Sequence, residues 1–306
     1  MTEQRKDFKA GFVTLIGRPN VGKSTLLNKL VGEKIAIISP RPQTTRNIIK
    51  GVITFEEAQI VFVDTPGLTQ VEKAPTIIDK KIIEETLMGI EGVDVVVFVA
   101  DENEPCSEDY FIMDHLKKVK KPVILTVNKV DKIKQYRALS IIEKYQEHFP
   151  FNRSIPISAK KGTNLSILVG EIINYLPFHP PYYPSDLITD QAERVLVAEL
   201  IREKIFELTH QEVPYSVLVK VDEFKERTQE LIYISATIYV EHPSQRGILI
   251  GKKGSMIKKI GQLARKEIES RLGCRIYLSL RVGVKKDWRK KIDSLKELGF
   301  DIREQK

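Results

Sequence analysis

The chain has 306 residues, 42% of them hydrophobic and 29% charged, with a formal net charge of +8. That length predicts two domains, and the longest strongly apolar stretch, 93–100, carries Asp94 and is far too short to span a bilayer. Cys106 and Cys274 fall in different predicted domains, and the five histidines show no metal spacing, which excludes a disulfide framework and a His/Cys metal centre.

In chain order, the polar start Met1-Thr-Glu-Gln-Arg-Lys-Asp has no apolar run behind it, so no secretory signal is expected and a cytoplasmic protein is. Phe12-Val13-Thr14-Leu15-Ile16 then predicts a buried strand, and Thr25-Leu26-Leu27-Asn28-Lys29-Leu30 the first turns of a helix. Between them Gly17-Arg18-Pro19-Asn20-Val21-Gly22-Lys23-Ser24 has the spacing of a phosphate-binding loop. Its two glycines let successive N–H groups turn inward on an anion, and the helix N-terminus adds positive charge. Lys23 can reach the outer phosphates and Ser24 can bind Mg²⁺, so a nucleoside triphosphate is expected here.

Further along, Pro42-Gln43-Thr44-Thr45-Arg46 offers a hydroxyl that could complete a Mg²⁺ shell while a triphosphate is present and release it after hydrolysis. Thr45 is favoured, Thr44 is the alternative, and a plain polar turn is the other reading of the pair. A strand at 60–63 ends in Asp64-Thr65-Pro66-Gly67-Leu68, where Asp64 can hold Mg²⁺ through water and the Gly67 N–H can sense a γ-phosphate. The apolar strand 122–127 runs into Asn128-Lys129-Val130-Asp131, at the strand end where ligands of open α/β sheets bind. Asp131 can accept from both N1–H and the 2-amino group of guanine, a donor pair that adenine lacks. Asn128 and Lys129 would brace the loop and the ring face. After the strand 154–157, Ser158-Ala159-Lys160 would close over the base.

The chain changes character near residue 177. Leu176-Pro177-Phe178-His179-Pro180-Pro181-Tyr182-Tyr183-Pro184 can continue neither a helix nor a central strand, and reads as a stiff linker. A helix is expected from about Asp190, followed by two strands. In the second, Ile232, Ile234, Ala236, Ile238 and Val240 alternate with more polar residues, as a half-covered sheet requires. Gly251-Lys252-Lys253-Gly254 then joins two predicted helices, the form of a KH loop that clamps single-stranded nucleic acid by its backbone. Ile248 and Ile250 would floor the groove, and Ser255 and Lys258 follow the loop. Residues 246–291 carry 15 Lys and Arg against three acidic residues, a net +12 that exceeds the whole chain's +8. Lys285-Lys286-Asp287-Trp288-Arg289 suits RNA or an anionic membrane surface, with Trp288 able to stack on a base or sit among headgroups.

These motifs, in this order, resemble the translation-factor-related GTPases, and Gly17–Thr25 with Asp64–Leu68 is similar to their Era and EngA branch. A single phosphate loop excludes the tandem EngA arrangement. Adding the KH loop, the helix–strand–strand–helix–loop–helix–strand order, Asp186-Leu-Ile-Thr-Asp190 and the terminal Asp287-Trp-Arg and Leu298-Gly-Phe300, nearly the whole chain resembles the Era family.

The resemblance implies an α/β P-loop GTPase domain over 1–176, with a mostly parallel sheet and helices on both faces. A Pro-rich linker over 177–189 and a smaller α+β type II KH domain over 190–306 follow. It implies GTP/GDP and Mg²⁺ as ligands and the 3′ end of small-subunit (16S) ribosomal RNA as partner. It also implies a role in assembly of the small subunit; a monomer is expected, which would at most visit the inner face of the cell membrane through its basic patch. Leu68 stands where a Ras-like GTPase has its water-orienting glutamine, and Gln70 is two residues too late, so unaided turnover would be slow. In several relatives an asparagine at the place of Asn20 helps hold K⁺, which would neutralise charge developing in the transition state. A competing reading is a constitutive RNA- or membrane-surface-binding protein with a structural nucleotide site, and retention of Lys23, Ser24 and Asp64 argues against it. A phosphate-loop kinase is disfavoured by Asn128-Lys129-Val130-Asp131.

Overall fold

A computed structural model describes residues 7–38, 49–68, 76–228 and 230–291. The chain forms two compact units that part between Asp190 and Gln191. The first contains β1 (Lys9–Ile16), α1 (Lys23–Val31), β2 (Ile49–Thr54), β3 (Ala58–Asp64), α2 (Ile77–Gly89) and β4 (Val95–Ala100). It continues through α3 (Ser107–Leu116), β5 (Val123–Val127), α4 (Gln135–Gln146), β6 (Arg153–Pro156) and α5 (Leu165–Tyr175).

Its six strands are ordered β2-β3-β1-β4-β5-β6, and every neighbouring pair is parallel except β2 with β3. The central strand β4 is apolar throughout because both of its faces are covered. Val95, Val97 and Val99 pack with Leu26, Leu27, Leu168 and Ile172 of α1 and α5, whereas Val96, Phe98 and Ala100 pack with Ile112 and Ile141 of α3 and α4. Asp94 does not interrupt this strand. It precedes β4, and its carboxylate accepts the Phe12 N–H at 2.8 Å. The antiparallel edge strand β2 is absent from the sequence reading, since Lys50 and Gly51 break its apolar pattern. Gly51 is where α1 presses on the sheet, and a Cβ there would lie 2.7 Å from Val31 Cγ2 and 2.8 Å from Leu27 Cδ1.

Residues 177–190 are bonded to this first unit along their length rather than spanning free. The Ala10 N–H donates to Pro177 O at 3.2 Å and the Val52 N–H to Ile188 O at 2.8 Å. Thr189 Oγ1 donates to Lys50 O at 2.7 Å, and the Lys50 ammonium pairs with Asp190 at 2.8 Å. That bond raises the Lys50 pKa above the ordinary lysine value. Gln59, fully buried on β3, is the central clasp. Its Oε1 accepts from the Tyr182 and Tyr183 amides at 2.7 and 3.0 Å, and its Nε2 donates to Tyr183 O at 2.8 Å. Asp190, near which the sequence predicts the start of the next helix, is held by this docking, and that helix begins at Glu193.

The second unit contains α6 (Glu193–Leu208), α7 (Val213–Ser216), β7 (Leu218–Thr228), β8 (Leu231–Val240), α8 (Pro243–Ile250), α9 (Ser255–Leu272) and β9 (Arg275–Val284). Its sheet is ordered β7-β8-β9, with β7–β8 antiparallel and β8–β9 parallel. The alternating residues Ile232 to Val240 of β8 are buried against Leu200 and Ile201 of α6 and Ile260, Ala264 and Ile268 of α9. The period-two pattern therefore reports one covered face, as expected.

Gln59→Ala removes the acceptor of two strap amides and the donor to one strap carbonyl. We expect it to cost about 1–3 kcal/mol, seen as a lower urea midpoint and faster proteolysis within 177–190. Unchanged proteolysis there would show that the strap is held by other contacts.

Candidate active site and nucleic-acid interface

Three loops at the carboxyl ends of β1, β5 and β6 meet around one side chain. Asn128 Nδ2 donates to Val21 O at 2.8 Å, while its Oδ1 accepts from the Lys129 and Ala159 amides at 2.8 and 2.9 Å. This ties the phosphate loop to both predicted base-binding segments. It also explains Gly22, whose φ is 103° and whose added Cβ would lie 2.3 Å from Asn128 Nδ2. At Gly17 a Cβ would lie 2.2 Å from Val99 O.

Gly22 stands at the N-cap of α1 and provides no side-chain cap, and a helix N-terminus favours an anion. Lys23 is buried, and its ammonium donates to Gly17 O and Arg18 O at 3.0 and 2.9 Å. Burial pushes its pKa down to about 8, against the pull of Asp64. An anionic phosphate is the partner that would offset the desolvation of this ammonium. Pro19 and Asn20 form the crest of the loop, Asn20 in the left-handed region at φ 65°. Thr25, one turn into α1, is half-buried.

Ser24 Oγ donates to Asp64 Oδ2 at 2.8 Å, so the two predicted Mg²⁺ groups are already adjacent. A hydroxyl and a carboxylate are hard oxygen donors that fit Mg²⁺. Thr65 faces the other way, its hydroxyl donating to Leu15 O at 2.8 Å. Pro66 is buried, and Gly67 lies so close to the phosphate loop that a Cβ would stand 2.7 Å from Pro19 Cα. The Leu68 N–H donates to Gly17 O at 3.1 Å and its side chain is fully buried. Thr44, Thr45 and Gln70 lie outside the described residues, as does 298–300.

Lys129, at φ 66°, leads into a short 3-10 turn of Val130–Lys132 that presents Asp131 at the surface. The Ser158 hydroxyl donates to Asp131 Oδ1 at 2.5 Å and holds that carboxyl below the usual aspartate range. Asp131 is thus fixed as an ionised acceptor beside the buried Ser158 and Ala159 and the exposed Lys160. Two further residues, absent from the sequence reading, complete the site. Arg18 turns outward to pair with buried Asp109 at 2.8 Å and with Asp101 at 3.0 Å, and Lys129 approaches Asp101 at 3.4 Å. Only their sign and number could have hinted at this network, because 83 residues separate Arg18 from Asp101.

In the second unit, α8 ends at Ile250 and the loop Gly251–Gly254 turns directly into α9. Gly251, Lys253 and Gly254 all have positive φ, at 72°, 52° and 78°. Lys252, Lys253, Ser255 and Lys258 are exposed, and Ile248 and Ile250 remain partly accessible beside fully buried Leu249. Lys285 is half-buried and Lys286 exposed. Trp288 and Arg289 correct the sequence reading. Trp288 is fully buried and its Nε1 donates to Ser216 O at 3.0 Å, so it can neither stack on a base nor enter a membrane. Arg289 is paired with Glu241 and donates to Tyr215 O at 3.2 Å, which makes it a structural clamp.

A family model described as "50S ribosome-binding GTPase" matches residues 12–129, and one described as "KH domain" matches 212–289. The GTPase Era of Halothermothrix orenii is 50% identical over 96% of this chain and 99% of its own length. That of Geotalea daltonii is 48% identical over 98% and 100%. The chain belongs to the Era family of GTPases. A crystal structure of Era with MgGDPNP and nucleotides 1506–1542 of 16S ribosomal RNA is 40% identical, with a TM-score of 0.91 over 95% of this chain and 99% of that one. Aquifex aeolicus Era bound to GDP and AlF₄⁻ is also 40% identical, with a TM-score of 0.90 over 95% and 99%.

As an Era-family GTPase the chain hydrolyses GTP to GDP and phosphate. Mg²⁺ supplies charge neutralisation at the phosphates when it is bound. The chain's own residues that would contribute are the loop amides and Lys23 at the phosphates, Ser24 and Asp64 as oxygen donors, and Asp131 at the base.

Asp131→Asn replaces one acceptor by a donor. Xanthine carries a carbonyl where guanine carries its 2-amino group, so nucleotide preference should move from guanosine to xanthosine. Competition binding should show GDP affinity reduced at least about 100-fold and XDP affinity increased. An unchanged guanine preference would remove Asp131 from base recognition.

Proposed function

We propose that this GTPase is a switch that binds the 3′ end of 16S ribosomal RNA through its Gly251–Gly254 loop and acts in assembly of the small ribosomal subunit in the cytoplasm. The observation that carries this reading is the pairing, in one chain, of the braced GTP site with an exposed Lys-Lys turn at a helix N-terminus. The full-length likeness to an Era solved with a 16S fragment supports it. The 50S description of the matched GTPase model covers only residues 12–129, a part without the RNA loop, and does not bear on which RNA is held.

Nucleotide state would reach the RNA domain through β2. Lys50 and Val52, just after the segment that holds Thr44 and Thr45, grip Thr189, Asp190 and Ile188, the last residues before the second unit. Thr45 would complete the Mg²⁺ shell in the GTP state, which would give β2 two positions. Asn20, at the crest of the phosphate loop, would support K⁺-stimulated hydrolysis. The membrane-surface reading loses its aromatic anchor now that Trp288 is buried, leaving only lysines.

Binding of a short RNA matching the 16S 3′ end, with a scrambled control, should be tighter and selective with a non-hydrolysable GTP analogue than with GDP. Equal affinity in both states would remove the coupling, and equal affinity for both RNAs would remove the ribosomal target. Lys252→Asp with Lys253→Asp should weaken RNA binding and reduce its salt slope by roughly two while basal GTPase activity survives. Turnover should be faster in KCl than in NaCl. Equal rates would exclude the ion at Asn20.

A further inference from the structure

The Gly251–Gly254 loop does not account for the face of the β7-β8-β9 sheet turned away from the core. On that face the Arg227 guanidinium lies 4.7 Å from the centre of the Tyr233 ring. Tyr233 in turn stacks on Tyr277, with centroids 5.6 Å apart and planes within 11°. The register produces this, since Tyr233 and Tyr277 are direct partners on parallel strands. A cation and two rings are thus layered across all three strands, and β9 is an edge strand. The stack ends on Tyr277, which is 61% exposed and has no second ring against it among the described residues.

Cross-strand stabilisation alone would account for a tyrosine pair. It does not account for what surrounds the last ring. The residues of β9 that share its face include Arg275 and Arg281, both exposed, at about 7 and 13 Å along the strand. The acidic groups on this face are engaged locally, Asp222 with the Thr237 hydroxyl at 2.6 Å and Glu223 with Lys225 at 3.2 Å. What remains is an open aromatic ring between two guanidinium groups, with Thr237 and Ser279 partly accessible on the same face and Leu231 and Tyr239 as larger half-buried neighbours there. That combination lacks the apolar area a membrane or an obligate protein partner requires. It matches single-stranded nucleic acid, which offers bases to stack and phosphates to pair.

We propose that this open sheet face is a second RNA-contacting surface, on which an unpaired base stacks on Tyr277 while neighbouring phosphates meet Arg275 and Arg281. The proposal rests on the reading that this domain binds RNA, and extends the RNA path beyond the Lys-Lys loop. The base continues the Arg227–Tyr233–Tyr277 stack by one layer, and its identity is read weakly because every base has a ring face.

The test uses the full-length protein with a non-hydrolysable GTP analogue and a 12-nucleotide single-stranded RNA matching the 16S 3′ end. Tyr277→Ala should weaken binding about 10-fold, within the range for loss of one stacked base. Tyr277→Phe, which keeps the ring, should stay within about twofold of wild type on the same grounds. Basal GTPase activity and circular dichroism should be unchanged in both variants. Full affinity in Tyr277→Ala would overturn the proposal, and so would equal losses in the Ala and Phe variants, which would assign the contact to the hydroxyl. Photocrosslinking of wild-type protein to the same RNA carrying 5-iodouridine needs no variant. Crosslinks in peptides spanning 275–281 are expected, and crosslinks confined to 247–258 would overturn it. If wild type binds no RNA at all, the ribosomal reading fails with it. If wild type binds and only the loop variant loses affinity, this proposal alone fails.

Discussion

Three loops spread over more than 100 residues of chain are joined because a single buried carboxamide bonds them together. Asn128 offers its donor to Val21 O and its acceptor to two amides, and its own N–H is held by Ala100 O at 2.9 Å. Neither an aspartate nor a leucine of similar size could do this, since one lacks the donor and the other lacks both groups. The carboxamide therefore joins the phosphate loop, the 128–131 turn and the 158–160 segment. Its partners Val21 and Ala159 adjoin Gly22 and Ser158 in the chain. Loops joined in this way let binding energy act on the nucleotide instead of on ordering them.

The phosphate loop and the proposed RNA loop share the same physical parts. In each, a glycine at positive φ stands at the N-cap of an α-helix and offers no side-chain cap, Gly22 before α1 and Gly254 before α9. In each, lysine stands at the N-terminus of the helix. The difference is burial. Lys23 is enclosed and desolvated, which suits one small, fixed, highly charged ligand. Lys252 and Lys253 are in solvent, which suits a polymer whose phosphates arrive in many positions and whose attraction is screened by salt.

Much of this was legible in the sequence, for a definite reason. The phosphate loop, Asp64, Asn128 to Asp131 and Ser158 belong to short motifs whose residues act within a few positions of one another, so local spacing carries the chemistry. The alternation in β8 likewise reports its covered face locally. What the sequence hid depends on distant partners. Trp288 lies in a run of lysines, and nothing in that run shows that Ser216 waits to accept its indole N–H. The proline-rich stretch shows what it cannot form, but not that Gln59 clasps it. Arg18 reads as a variable position of the loop, and its pairing with Asp109 and Asp101 follows from tertiary packing alone. β2 was missed because Gly51, placed there for contact with α1, removes the side chain that would have marked a strand.

If Asn128 assembles the guanine nucleotide site, its loss is read most plainly by calorimetric binding of GDP to an Asn128→Ala variant. Loss of three side-chain hydrogen bonds, two of them buried, should reduce GDP affinity at least about 100-fold, in protein whose circular dichroism shows the α/β fold retained. GDP affinity within about threefold of wild type would contradict it, and would mean that the three loops find their places without the carboxamide that joins them.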